Sequence, residues 1–69
     1  MRREAVNSSV IASVGYDEQN KILEIAFHHG GIYQYSGVPL SIYEGLMSAD
    51  SLGHYFAENI RNGYEYIQL

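Results

Sequence analysis

Three runs between Ser9 and Ser36 place apolar side chains at every second position, and the rhythm stops at Gly37-Val38-Pro39. A period of two belongs to a pleated strand, whose side chains leave alternately to either face. In the first run, 9–16, Val10, Ala12, Val14 and Tyr16 fall on one side and Ile11, Ser13 and Gly15 on the other. In the second, Lys21 to His28, Leu23, Ile25 and Phe27 face one way, with Ile22, Glu24, Ala26 and His28 opposite. This is the clearest alternation in the chain, and it assigns 23, 25 and 27 to the core of a sheet packed on one face. The third run sets Tyr33 and Tyr35 on one side, alternating with Ile32, Gln34 and Ser36. Between the runs, Asp17-Glu18-Gln19-Asn20 and His29-Gly30-Gly31 have the length and composition of hairpin loops. Short loops make neighbouring strands pair antiparallel, which predicts a meander.

Pro39 cannot donate to a strand ladder and suits the first turn of a helix. Beyond it, Ile42, Tyr43, Leu46 and Met47 share one helical face. The spacing Ser41-x-x-Glu44 is that of a capping box, so this helix begins at 40 or at 42. Gly45 in its middle costs about 1 kcal/mol relative to alanine, which predicts a close approach by another element. Asp50 or Ser51 caps a second helix with the stripe Leu52, Tyr55, Phe56, Asn59, Ile60, and Asn62-Gly63 is its expected left-handed stop. The tail, Tyr64 to Leu69, is either an edge strand or an extended cover strip. The expected architecture is a single α+β domain over 1–69: a three-stranded antiparallel meander, two short helices on one face, and a C-terminal edge strand if the tail pairs. Residues 1–7 are expected to form a mobile arm that Val6 could anchor.

A chain of 69 residues without cysteine has neither a disulfide nor a Cys/His zinc site to staple it. Seven tyrosines and two phenylalanines must carry the packing; each buried ring removes roughly 150–250 Å² from water. A homodimer that extends such a core is compatible with the composition. Four basic residues against eight acidic ones give a net charge of −4. Affinity for duplex DNA comes largely from Lys and Arg on phosphates, so duplex binding is not expected. No apolar run is long enough for a signal peptide or a membrane span, and the expected compartment is the cytoplasm.

One string now spans nearly the whole chain. It comprises Val6-x-Ser8-Ser9-x-Ile11, Val14-Gly15-Tyr16-Asp17, Leu23-x-Ile25-x-Phe27-x-x-Gly30, Tyr33-x-Tyr35, Val38-Pro39 and Tyr43-x-x-Leu46. It continues through Ala49-x-Ser51-x-Gly53-x-Tyr55-Phe56, Ile60-Arg61 and Tyr64. This string resembles the KTSC domain family, with Tyr33-x-Tyr35 as its best marker. Ala57, where the family often has Asn, and Glu65, where Pro is common, depart from the pattern. The resemblance implies a small domain found alone in bacteria and phages, and at the C-terminus of some lysyl-tRNA synthetases. It carries no assigned function, and the synthetase context suggests RNA binding.

Tyr33 and Tyr35 have two readings. As exposed rings on a sheet they would stack unpaired bases; as core they would pack beneath the helices, which a chain so short of core favours. Ser8 and Ser9 lack the base and oxyanion setting of a nucleophile and are expected to hydrogen-bond at the entrance to the first strand. His28 and His29 point to opposite faces if both lie on a strand, so a metal site with His54 is not expected. Glu44 and Glu58 fall on the polar faces of their helices. Arg61 is suited to bind a phosphate or carboxylate bidentately, or to serve as the positive partner of a helix C-terminus. Tyr33, Tyr35, Arg61, Ser8, Ser9 and Asn59 are the residues where a ligand is expected.

No catalytic constellation, cofactor motif or metal-ligand spacing is present in the sequence. The expected function is a non-catalytic binding module for single-stranded RNA or a small nucleotide-like ligand. The alternative is a protein-interaction or self-association module with the tyrosines as core.

Overall fold

A computed structural model describes all 69 residues. The elements are β1 (Glu4–Ala5), β2 (Ile11–Asp17), β3 (Ile22–Phe27), β4 (Ile32–Ser36), α1 (Leu40–Met47), α2 (Leu52–Asn59) and β5 (Tyr66–Gln68). The strands form one sheet in the order β1-β2-β3-β4-β5, antiparallel throughout. The α+β class and the central meander agree with the sequence reading, but the sheet has five strands rather than three. The tail is the edge strand β5, and the N-terminal residues supply β1 at the opposite edge. Two and three residues are too short to display an alternation, so only their pairing with β2 and β4 reveals them.

The register fixes one buried face. Val14, Ile25, Tyr33 and Gln68 lie in one cross-strand row, and Tyr16, Leu23, Tyr35 and Tyr66 in the next. Over these rows pack Val38, Leu46, Phe56 and Ile60, each at most 5% exposed. Full burial of an aliphatic or aromatic side chain contributes roughly 1.5–3 kcal/mol, and half-buried Ile42, Tyr43, Met47, Leu52 and Tyr55 pack against the same core.

In β2 the simple alternation fails. Ile11 pairs with Phe27 but Ser13 pairs with Ala26, so Ala12 is the extra residue of a bulge. The bulge turns Ile11 onto the core face with Val14, where both are buried, and leaves Val10 exposed. The simple alternation puts Val10 on the side of Val14 and Ile11 on the other; at this end of the strand Ile11 shares the buried face with Val14 instead. The stretch Asp17 to Lys21 closes the first hairpin with the Asp17 carboxylate accepting from the Asn20 backbone N–H at 3.2 Å. Gly30 and Gly31 close the second at φ +116° and +91°, a region other residues rarely enter.

Helix α1 starts at the earlier of the two expected positions. Its cap is Pro39, whose carbonyl accepts from Ile42 and Tyr43, and the capping-box arrangement is not used. Tyr16 holds this helix: its ring stacks on Tyr43 at 4.6 Å and 8°, and its hydroxyl donates to the Val38 carbonyl at 2.6 Å. A Cβ at Gly45 would collide with the Tyr55 hydroxyl, so the mid-helix glycine marks the close crossing of α1 and α2. Ser51 caps α2 by accepting from the His54 N–H at 3.2 Å. The expected left-handed stop at Asn62-Gly63 does not form. Neither residue has positive φ, and the chain leaves α2 through a turn in which Gly63 donates to Ile60.

The sheet face opposite the helices has a charged centre. Glu24 is only 3% exposed there, accepting from the Gln34 side-chain amide at 2.8 Å and paired with the Arg3 guanidinium, which also donates to Ser13. The Gln34 donor, then the Arg3 hydrogen bond and charge, hold the carboxyl below its usual value against the opposing effect of burial. Because the folded value is depressed, the stability is whole above about pH 4.5 and drains as pH falls below it. Glu24→Gln is expected to cost roughly 1.5–3 kcal/mol at neutral pH and to flatten the acid-side loss of stability. Urea denaturation of both proteins across the acid range checks this, and parallel pH profiles would refute it.

Candidate functional site

A groove of about 470 Å³ opens where the C-terminal end of α2 meets the β3–β4 turn. Its aromatic walls come from Phe27 on β3, Tyr33 and Tyr35 on β4, Phe56 on α2 and Tyr66 on β5, and its rim carries His29, Arg61 and Asn62. Antiparallel pairing creates the arrangement: β4 sits between β3 and β5, so rings from three strands converge on one face.

The rings form one connected cluster. Phe27 meets Tyr33 edge-on at 5.6 Å and Phe56 at 5.3 Å. Tyr35 meets Phe56 at 5.5 Å and 75°, while Tyr66 lies 5.6 Å from Tyr33 and 5.5 Å from Tyr35. Exposure grades across it. Tyr35 is 4% exposed and belongs to the core, Tyr33 is half-buried, and Tyr66 is 56% exposed. The two readings of the Tyr-x-Tyr pair thus divide between its members, Tyr35 as floor and Tyr33 as wall.

Burial pushes the Tyr35 phenol up to about 12, with the neighbouring Tyr66 and Tyr33 adding to the shift and the Arg61 charge opposing it. Arg61 lies just beyond α2, its N–H donating to the Phe56 carbonyl at 3.0 Å. It takes part in neither of the two ion pairs, Arg3–Glu24 and His54–Glu58. No carboxylate lines the groove, and Arg61 is the one Lys, Arg, Asp or Glu side chain on this aromatic surface.

The other expected ligand residues lie elsewhere. Ser8 and Ser9 line a neighbouring hollow of about 270 Å³ that shares Val10 and Gly53 with the groove. The Ser8 hydroxyl accepts from the Val10 and Ile11 N–H groups, both at 3.1 Å, and so shapes the entrance to β2. Asn59 is exposed and donates to the Tyr55 carbonyl at 3.1 Å. Tyr33, Tyr35 and Arg61 come together; Ser8, Ser9 and Asn59 do not join them. Phe27, His29, Asn62 and Tyr66 are groove residues that the sequence reading did not select. The second Tyr-x-Tyr, 64 and 66, was the available signal for one of them.

No group of three or more His, Cys, Asp or Glu side chains is placed to hold a metal ion. His28 contacts the Ser8 carbonyl, His54 faces Glu58 and His29 edges the groove. No helix is long and apolar enough to cross a membrane.

These features define a small α+β domain whose one-sided helical cover leaves an aromatic groove at the end of a five-stranded sheet. The chain belongs to the KTSC domain family, whose profile matches residues 7–64. A crystal structure of a KTSC domain protein from Yersinia pestis superposes with a TM-score of 0.96 at 41% identity, covering 99% of this chain and 96% of that one. An uncharacterized protein of Stutzerimonas stutzeri is 45% identical over 56 residues, 81% of this chain and 79% of that protein. A lysine–tRNA ligase of Nostoc punctiforme is 36% identical over 61 residues, which cover 88% of this chain but 11% of the ligase. KTSC is a domain of uncharacterised function and not a known catalytic family.

The raised Tyr35 value has a consequence in alkali. Because the folded phenol titrates above its ordinary value of 10.0, the stability it contributes is whole below pH 10.0 and is lost as pH rises toward about 12. Tyr35→Phe is expected to flatten that loss in thermal denaturation across alkaline pH, and Arg61→Gln to move the late tyrosine titration higher still. Identical alkaline slopes for wild type and Tyr35→Phe would contradict the assignment.

Proposed function

We propose that this chain is a non-catalytic binding module whose aromatic groove takes single-stranded RNA or a small nucleotide-like ligand. The observation that carries the reading is Arg61: an arginine outside every ion pair, at the rim of a carboxylate-free groove walled by aromatic rings. Aromatic side chains stack unpaired bases for roughly 1–3 kcal/mol each, and a guanidinium recognises phosphate bidentately. A groove of about 470 Å³ is the size of a small-ligand site. The occurrence of a similar segment within lysine–tRNA ligases supports an RNA-related ligand.

A second reading, self-association, is favoured by β5. Tyr66, Ile67 and Leu69 are 56%, 60% and 63% exposed at an unpaired sheet edge that carries no lysine or proline. Light scattering across concentration separates it from ligand binding by the monomer.

Titration of the protein with short oligonucleotides and mononucleotides at low salt, followed by tyrosine fluorescence, tests the first reading. The expected result is a saturable change that Tyr33→Ala weakens by roughly 1–3 kcal/mol and Arg61→Gln weakens without loss of fold. No response from any of these ligands would remove the reading.

A further inference from the structure

The distribution of positive charge limits how much of a nucleic acid this groove can hold. Of the four basic residues, only Arg61 lies at the groove. Lys21 closes the β2–β3 loop, at the opposite end of β3 from the turn that edges the groove, and its carbonyl accepts from Val38. Arg3 is held by Glu24 on the other face of the sheet, and Arg2 belongs to the same N-terminal segment beside β1, at the sheet edge remote from β5. A strand threading the groove would lay its further phosphates on a surface with no second lysine or arginine, in a chain of net charge −4. One guanidinium matches one phosphate. A terminal phosphomonoester carries nearly two negative charges near neutral pH, its second pKa being about 6, whereas an interior phosphodiester carries one.

The rings available to a base are equally few. Tyr35 and Phe56 are already buried against each other. Phe27, Tyr33 and Tyr66 remain accessible; Tyr33 lies 5.6 Å from each of the other two, at 78° and 57°, so the three form a single bent wall with no parallel faces to serve as a stacking track.

We infer that the groove seats one nucleotide bearing a terminal phosphate, with the phosphomonoester on Arg61 and the base against Tyr33 and Tyr66. The inference rests on the nucleotide-binding reading above and narrows its ligand to a free mononucleotide or a phosphorylated chain end.

Calorimetric titration of the full chain with adenosine and uridine 5′-monophosphates, the parent nucleosides, inorganic phosphate, and short oligonucleotides with phosphorylated or unphosphorylated ends tests it. At least one mononucleotide is expected to bind. Its nucleoside, inorganic phosphate and the unphosphorylated oligonucleotide are each expected to bind at least about ten-fold more weakly, the scale of a charge-assisted hydrogen bond. Binding by the phosphorylated oligonucleotide as well identifies a chain end as the source, and its failure beside a bound mononucleotide identifies the free nucleotide. For the phosphorylated oligonucleotide, the slope of log affinity against log salt should lie near about −0.7, one phosphate contact, and Arg61→Gln should erase the preference for phosphate. An unphosphorylated oligonucleotide that binds as tightly, or a slope of roughly −2, overturns the inference and leaves the broader reading standing. Inorganic phosphate binding as tightly as the mononucleotide also overturns it, because the rings would then contribute nothing. Silence from every probe removes both.

Discussion

The rings of Tyr35 on β4 and Phe56 on α2, 5.5 Å apart and nearly perpendicular, join the helical cover to the sheet. Each is almost wholly buried, and edge-to-face pairs of this kind contribute about 0.5–1.5 kcal/mol beyond the area they bury. The same phenylalanine sets the end of its helix, because its carbonyl accepts from both Ile60 and Arg61. One residue therefore closes the core and delivers the arginine to the groove. A chain without cysteine has no disulfide to couple packing to the position of a functional side chain.

Aromatic side chains do different work at different depths. Tyr16 and Tyr43 form a separate stacked pair that fixes α1 over the β2–β3 end of the sheet. Around Phe56 the rings pass from buried Tyr35 through half-buried Tyr33 to exposed Tyr66. The buried end supplies stability and the exposed end supplies surface. The opposite sheet face uses another device, a buried carboxylate satisfied by Gln34 and Arg3, which fastens the N-terminal segment across the sheet.

The strongest periodicities translated directly into structure. Leu23 and Ile25 are fully buried, as the alternation of the second run requires, and the glycine turn and Ser51 cap fall where their chemistry places them. The bulge at Ala12 was hidden because alternation counts residues, whereas the ladder skips one. The Tyr-x-Tyr pair was legible as a shared face but not as two depths. Tyr35 lies between Leu23 and Tyr66 under Phe56, while Tyr33 lies between Ile25 and Gln68 nearer the sheet end. Arg61 was identifiable by its scarcity. Its freedom from carboxylates, and the convergence of Phe27, His29 and Tyr66 around it, depend on register and turn geometry that no local pattern encodes.

Under the proposed function, binding and folding divide along this aromatic gradient, with ligand held at its exposed end. Amide and tyrosine-ring chemical-shift mapping during titration with a mononucleotide tests it most directly. The expected shifts are concentrated at His29, Tyr33, Arg61, Asn62 and Tyr66, with Glu24 and Gln34 on the far face unmoved. Shifts centred on the far face, or scattered without reference to the groove, would contradict it.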